Sequence, residues 1–180
     1  GLTRNQAAGL VGNLSYESGN FKTLQEEEPM VPGSAGGWGF AQWTADRRVN
    51  FNTYADGRGL ARDSYEANRD FLIHELSTSY RGDLEQLKAT TTVEEAAYLV
   101  MDEYLSPNKA KANFPGRLGR ATAFANGDYS GSGYPMAGTM FGSGFAGYEP
   151  PATPIETYTP TALMPWKSLT IGSVPVGRAM

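Results

Sequence analysis

The sequence predicts a mainly α-helical domain with a small glycine-rich hairpin or loop lobe, followed by an extended, irregular C-terminal arm. Three observations predict it. Apolar residues recur at helical spacing in six segments of the first 126 residues, several of them opened by Thr or Ser. Between the first two segments, residues 20–43 carry Gly33, Gly36, Gly37 and Gly39 with Pro29 and Pro32, which is turn chemistry rather than helix. After Asn126 the composition changes. Residues 127–180 hold five charges against nine glycines and seven prolines, with aromatics that follow neither a helical nor a strand period.

The first helix is expected from Arg4 to Tyr16, with Thr3 as its N-cap and Ala7, Ala8, Leu10, Val11 and Leu14 as its apolar face. Gly9 and Gly12 weaken it as a helix, and small residues so placed let another backbone pack close. Gly19 is the stop. Thr44 caps a second helix from Ala45 to about Tyr54, closed by Gly57 and Gly59. Ser64 opens a third, "YEANRDFLIHEL", whose apolar side is Tyr65, Phe71, Leu72 and Leu76. "DLEQLK" is a short helix after Gly82. "TTVEEAAYLVMDEYL" carries a capping box, Thr92 with Glu95, and reads as one buried helix with Tyr98 and Tyr104 in the core, ended by Pro107. A last helix is expected from Gly116 to Ala125.

The arm at 127–180 cannot bury a core by itself. Its low charge and its aromatics suit a segment that lies on another protein surface; a flexible linker to a further domain fits equally. The chain opens at Gly1 and enters helical pattern at once, which is read as a piece of a longer polypeptide.

Composition narrows the chemistry. There are no cysteines and one histidine, His74, so thiol chemistry and Cys- or His-rich metal sites are excluded. No D-x-[DN]-x-[DN]-G calcium loop is present, and neither metal nor cofactor is expected. The net charge of -4 argues against a nucleic-acid partner. No apolar run is long enough to span a bilayer.

One carboxylate stands out. In "GNLSYESGNF", Glu17 ends the first helix beside Tyr16 and before Ser18-Gly19. Cleaving a glycosidic bond needs a carboxylic acid that delivers a proton to the leaving oxygen. Apolar surroundings and the negative end of a helix both disfavour an anion, which keeps such an acid protonated. Tyr16, Phe21, Trp38, Phe40 and Trp43 are the candidate wall. The stretch "GGWGFAQWT" adds rings that stack on the C–H faces of sugars, glycines that let backbone approach, and an amide, Gln42, that both donates and accepts.

"GLTRNQAAGLVGNLSYESGNF" followed by "GGWGFAQWTADRR" resembles the phage tail lysozyme domain of the lysozyme-like superfamily, and the later helices fall in that domain's order over roughly residues 2–126. The resemblance implies a lysozyme-like catalytic domain at 1–126, with 127–180 as the arm. It implies cleavage of the β-1,4 bond between N-acetylmuramic acid and N-acetylglucosamine by a virion-borne enzyme. Such an enzyme opens the host wall, at the periplasm, during genome entry. Its partners would be peptidoglycan strands and, through 127–180, tail or portal-proximal virion proteins. Carried over by position, Glu17 is the general acid, and Ser18, Trp38, Gly39, Gln42 and Trp43 line the cleft. Where such lysozymes place a second acid stands Glu26, within "EEE", with Glu28 and Asp46 as further candidates. Lytic transglycosylases, a related branch, use one glutamate and the substrate's own acetamido group, and the residues leave both mechanisms open. A wall-binding virion module that kept the fold without turnover is the third reading. Arg47 and Arg48 open a helix, where cations are disfavoured, and so mark a contact to a carboxylate or to acidic peptide stems. His74 has no sequence partner that would make it a base.

Overall fold

The computed structural model describes residues 1–26, 29, 33–107 and 112–128. Glu27, Glu28 and the arm from 129 onward lie outside the described residues. Six α-helices are present among them: α1 (Arg4–Glu17), α2 (Ala45–Gly57), α3 (Tyr65–Ser77), α4 (Arg81–Ala89), α5 (Val93–Leu99) and α6 (Phe114–Ala125).

The pattern of α1 predicts one apolar face, yet every residue from Gln6 to Ser15 is buried. The glycines explain the difference. A Cβ on Gly9 would lie 2.5 Å from Ala96 Cβ of α5, and one on Gly12 would lie 2.5 Å from the Ala121 backbone of α6. Both neighbours therefore pack directly on α1, and the helix becomes the axis of the domain. Its buried polar side chains are all satisfied, as burial requires. Gln6 Nε2 donates to Lys88 O and Thr90 O, each at 2.8 Å. Asn13 Nδ2 donates to Gly9 O and Ala97 O, each at 2.9 Å. Thr3 and Gln6 form a reciprocal capping box that fixes where α1 begins.

Gly12→Ala is expected to destabilise the fold by roughly 1–3 kcal/mol, because the added methyl meets backbone that cannot step aside. Gly119→Ala, on exposed α6 surface with nothing near its Cβ, is expected to stabilise by about 0.5–1 kcal/mol. Urea midpoints of the two variants should move in opposite directions, and equal shifts would refute the close-packing account.

Thr92 and Glu95 form the expected capping box at the start of α5. The expected single helix does not continue as α. Beyond Leu99 it widens into a π-helical segment, Val100–Leu105, that ends at Ser106 in the left-handed region. Tyr104 is buried as expected, but Tyr98 is 52 % exposed and is not core. Helix α6 begins at Phe114, with Pro115 in its first turn and the Asn113 side chain as cap.

The small lobe is a narrow antiparallel arrangement built from single bridges, Gln25 with Trp38 and Trp38 with Trp43. Gly39 (φ +78°) and Gln42 (φ +48°) turn the chain between the last two. Arg48 on α2 clasps this lobe. Its guanidinium donates to Ala35 O, to Gly36 O at 3.0 Å and to Gln25 Oε1 at 3.0 Å, and it lies over the Trp38 ring. Beneath the lobe an aromatic cluster joins it to the helices: Trp43 stacks on Phe51 at 4.9 Å, and Phe71 meets Trp43 edge-on at 4.9 Å.

Candidate active site

Glu17 is the last residue of α1, and its side chain is 22 % exposed. The chain leaves the helix through an unusual turn. Gly19, Asn20 and Phe21 all have positive φ, at 53°, 60° and 63°. Left-handed backbone is costly for a non-glycine residue and persists only where its surroundings hold it. Here Asn20 Oδ1 accepts from Ser15 Oγ at 2.7 Å and from Arg120. Ser18 ties the turn from inside, donating its hydroxyl to Leu14 O at 2.7 Å and accepting from Phe21 N at 3.1 Å.

The partner of Glu17 is a cation that the sequence reading did not single out. Arg117 Nη2 on α6 lies 2.6 Å from Glu17 Oε1, and the Arg117 side chain is 2 % exposed. Its other nitrogens are committed: Nε donates to Ala112 O at 2.6 Å and Nη1 to Asn13 Oδ1 at 3.3 Å. Asn13 is in turn anchored on Ala97 O. The guanidinium sits over the Tyr16 ring at 4.6 Å, and Tyr16 Oη accepts from Asn113 Nδ2 at 2.7 Å. Three helices thus converge to hold one carboxylate. The expected apolar wall is replaced, at the carboxylate itself, by a buried positive charge. One sequence signal existed: an arginine in "GRLGRATAFA" one helical turn from the apolar Ala121 and Phe124 face.

The structure links this turn to the second motif. Phe21 meets Phe40 edge-on at 5.0 Å, Gly39 N donates to Leu24 O at 2.8 Å, and Gln42 Nε2 donates to Leu24 O at 3.1 Å. Trp38 is half-buried, its indole N–H reaching Arg62 O at 3.3 Å. Gln42 is also half-buried; its amide nitrogen bonds its own lobe, and among the described residues its Oε1 accepts nothing.

Three of the expected cleft residues, Ser18, Gly39 and Trp43, lie buried in this structure. Ser18 is fully buried and serves the turn. Gly39 is buried, and a Cβ there would stand 2.5 Å from both Asn68 Oδ1 and the Trp43 ring, so its glycine answers to packing. Trp43 is fully buried within the aromatic cluster, and its indole donates to Glu75 Oε2 at 2.9 Å. Of the second-acid candidates, Glu26 is half-buried and its Oε2 accepts from Gly37 N at 2.7 Å. Asp46 is exposed in the first turn of α2, where an acid suits the helix dipole, and Glu28 lies outside the described residues.

Arg47 does contact a carboxylate, Glu75, which the sequence reading also passed over. Glu75 Oε2 accepts from Trp43 Nε1, from Arg47 Nη2 at 2.8 Å and from Tyr104 Oη at 2.6 Å, while Oε1 accepts from Arg47 Nε at 2.8 Å. Burial, and then the charge of Glu75, push the Tyr104 hydroxyl well above the ordinary tyrosine range, so it stays a donor. Its spacing from Phe71 and Leu72 puts Glu75 on the apolar face of α3, which the sequence already displays. Both oxygens of this buried carboxylate are engaged, so the network braces the fold.

His74 is half-buried beside Tyr54, ring centroids 5.0 Å apart. Burial, and then the nearby Arg58 charge, lower its pKa below the ordinary histidine value of 6.5, with Glu75 acting the other way. A depressed histidine contributes stability above the unfolded value, and that contribution is lost as pH falls through it towards the folded value. The imidazole NMR titration of this lone histidine is expected to fall below 6.5. A midpoint above it would contradict the burial described.

The phage tail lysozyme family model matches residues 1–126. The chain belongs to this family. It is a peptidoglycan-lytic enzyme of the virion, as the paired motifs around Glu17 and Trp38 led one to expect, and its mainly helical architecture is that of a lysozyme-like domain. No curated protein matches the chain, and no solved structure does. Among the described residues no group of acids or histidine could hold a metal, and no helix is long and apolar enough to cross a membrane.

Proposed function

We propose that the chain cleaves the β-1,4 bond between N-acetylmuramic acid and N-acetylglucosamine, with Glu17 as general acid. The observation that carries this is a partly exposed carboxyl at the last residue of α1, held by a buried arginine. In the reaction Glu17 gives its proton to the leaving glycosidic oxygen as the bond to C1 breaks. The carboxyl becomes a carboxylate, and Arg117 stabilises that developing charge from a position already fixed by Asn13 and Ala112. Trp38 and the Oε1 of Gln42 are the lobe groups left to meet a sugar.

Two routes complete the reaction. In a hydrolase a second carboxylate, Glu26, assists attack at C1, and water supplies the new hydroxyl. In a transglycosylase the substrate's acetamido group assists, the C6 hydroxyl attacks C1, and its proton returns to Glu17. The bond from Gly37 N already engages one oxygen of Glu26, which favours the single-acid route as a second reading. Mass spectrometry of the released muropeptides separates them. Reducing ends together with loss of activity in Glu26→Gln select the hydrolase; 1,6-anhydro ends, one water lighter, select the transglycosylase. Binding to peptidoglycan with no release of fragments would overturn both and leave a wall-binding module.

The same reading has 1–126 as the catalytic unit and 127–180 as the segment that attaches it to a neighbouring virion protein. It has the enzyme opening the wall locally, at the periplasm, as the genome enters.

A further inference from the structure

Arg117 and Arg120 lie one turn apart on α6, and the guanidinium groups of both stand over the Tyr16 ring, 4.6 Å and 5.5 Å from its centroid. Arg117 is buried and committed to Glu17, Asn13 and Ala112. Arg120 is half-buried. Its Nη1 alone ties it to the Glu17 turn, donating to Ser15 O at 2.8 Å, to Ser15 Oγ at 3.0 Å and to Asn20 Oδ1. Among the described residues its Nε and Nη2 meet no acceptor, and no carboxylate pairs with it. That free edge is the one this protein turns to carboxylates elsewhere. Arg47 binds Glu75 through Nε and Nη2, each at 2.8 Å, and Arg62 binds Asp56 through the same two nitrogens, at 3.0 Å and 2.6 Å. Two parallel N–H groups match the two oxygens of a carboxylate, which a point charge cannot do.

We propose that the Nε–Nη2 edge of Arg120 receives a carboxylate of the peptidoglycan strand beside the Glu17 turn, and so tells N-acetylmuramic acid units from neutral sugars. It rests on the reading of Glu17 as the acid of a glycan-cleaving site. The strand alternates a neutral sugar with one whose lactyl group ends in a carboxylate when bare, and in a peptide stem with carboxylates of its own when substituted. A polymer of N-acetylglucosamine alone offers no such group. The local charge suits an anionic ligand. Across α6, the last turn of α1 and the turn that follows it, Glu17 is the one acid, against Lys22, Arg117 and Arg120, in a chain whose net charge is -4. Lys22 is exposed and adds to the field without a fixed fork. Arg120 is already held in place through Nη1, so little side-chain freedom is left to lose when a carboxylate meets its other edge.

The test uses the full chain with Glu17→Gln, so that bound glycan stays intact. The probes are glycan hexamers of alternating N-acetylglucosamine and N-acetylmuramic acid, titrated by calorimetry in three forms: peptide-free with free lactyl carboxylates, the same with those carboxylates reduced to alcohols, and stem-bearing. If the lactyl group is the ligand, the acid should bind about tenfold more tightly than the alcohol, the worth of one charge-assisted contact in partial water. Arg120→Gln should bring the acid down to the affinity of the alcohol and leave the alcohol itself unchanged. Arg120→Lys, a cation without the fork, should keep only part of the preference. If the stem is the ligand, Arg120→Gln should weaken the stem-bearing hexamer alone, again about tenfold. Equal affinity for acid and alcohol before substitution, with no loss on the stem-bearing hexamer in Arg120→Gln, overturns the site. So does an equal loss on all three hexamers together with a lower melting midpoint, which makes Arg120 a tie for the turn only. Cleavage by the Glu17-intact chain is read separately. If peptidoglycan is cut and Arg120→Gln changes no affinity, the carboxylate site alone falls; if the preference is present and nothing is cut, the Glu17 reading alone falls.

Discussion

In the Glu17→Gln protein, release of soluble fragments from purified peptidoglycan is expected to fall by about two to four orders of magnitude, the range that loss of a general acid costs. Glutamine keeps an oxygen for Arg117 to bond, so the fold and glycan binding should survive; circular dichroism and a pull-down on insoluble wall check this. Arg117→Met should lower kcat by roughly 10²–10³-fold with KM little changed, because the cation acts on charge that appears only as the proton leaves. Arg117→Lys should recover only part, since an ammonium cannot meet Glu17, Asn13 and Ala112 from one rigid fork. If Glu17→Gln clears peptidoglycan as fast as the parent, Glu17 is not the acid. If Arg117→Met raises KM and spares kcat, the arginine serves binding instead.

Glu75→Gln should cost about 3–5 kcal/mol of folding stability, the penalty for leaving a buried cation without its counter-charge. Against the roughly 5–15 kcal/mol that holds a typical domain together, this is a large share. Four hydrogen bonds from Trp43, Arg47 and Tyr104 converge on that one carboxylate, joining the lobe's last residue to α2, α3 and the π-helical segment. Burial opposes the charge of Arg47, and the surrounding Tyr104, Glu75 and Tyr80 more than offset this, so its pKa lies above the ordinary arginine value. It therefore stays charged at any pH the protein meets. The double variant Arg47→Leu with Glu75→Leu should recover only part of the loss, because it removes both buried charges together but leaves Trp43 Nε1 and Tyr104 Oη without their acceptor. Urea denaturation measures all three. A Glu75→Gln loss under about 1 kcal/mol would mean that water already reaches the pair.

The sequence by itself determined much of the frame. Helical periodicity and caps placed the six helices within a few residues, because those signals are local: Thr3, Ser64 and Thr92 accept from their own helices, and Gly9 and Gly12 have no side chain to keep a neighbour away. The paired motifs around Glu17 and Trp38 also carried the family, since a run of residue types at fixed spacing is legible without any contact being known. What surrounds each carboxylate was decided only in three dimensions. Arg117 is 100 residues from Glu17, and Tyr104 is 29 from Glu75. Trp43 reads as a sugar-facing ring from composition, yet tertiary packing encloses it completely, while Tyr98 reads as core and stands half in water. Spacing along a helix fixes which residues share a face; which face meets another helix, the lobe or solvent depends on the whole chain packing at once, and here that packing set a buried cation against the acid.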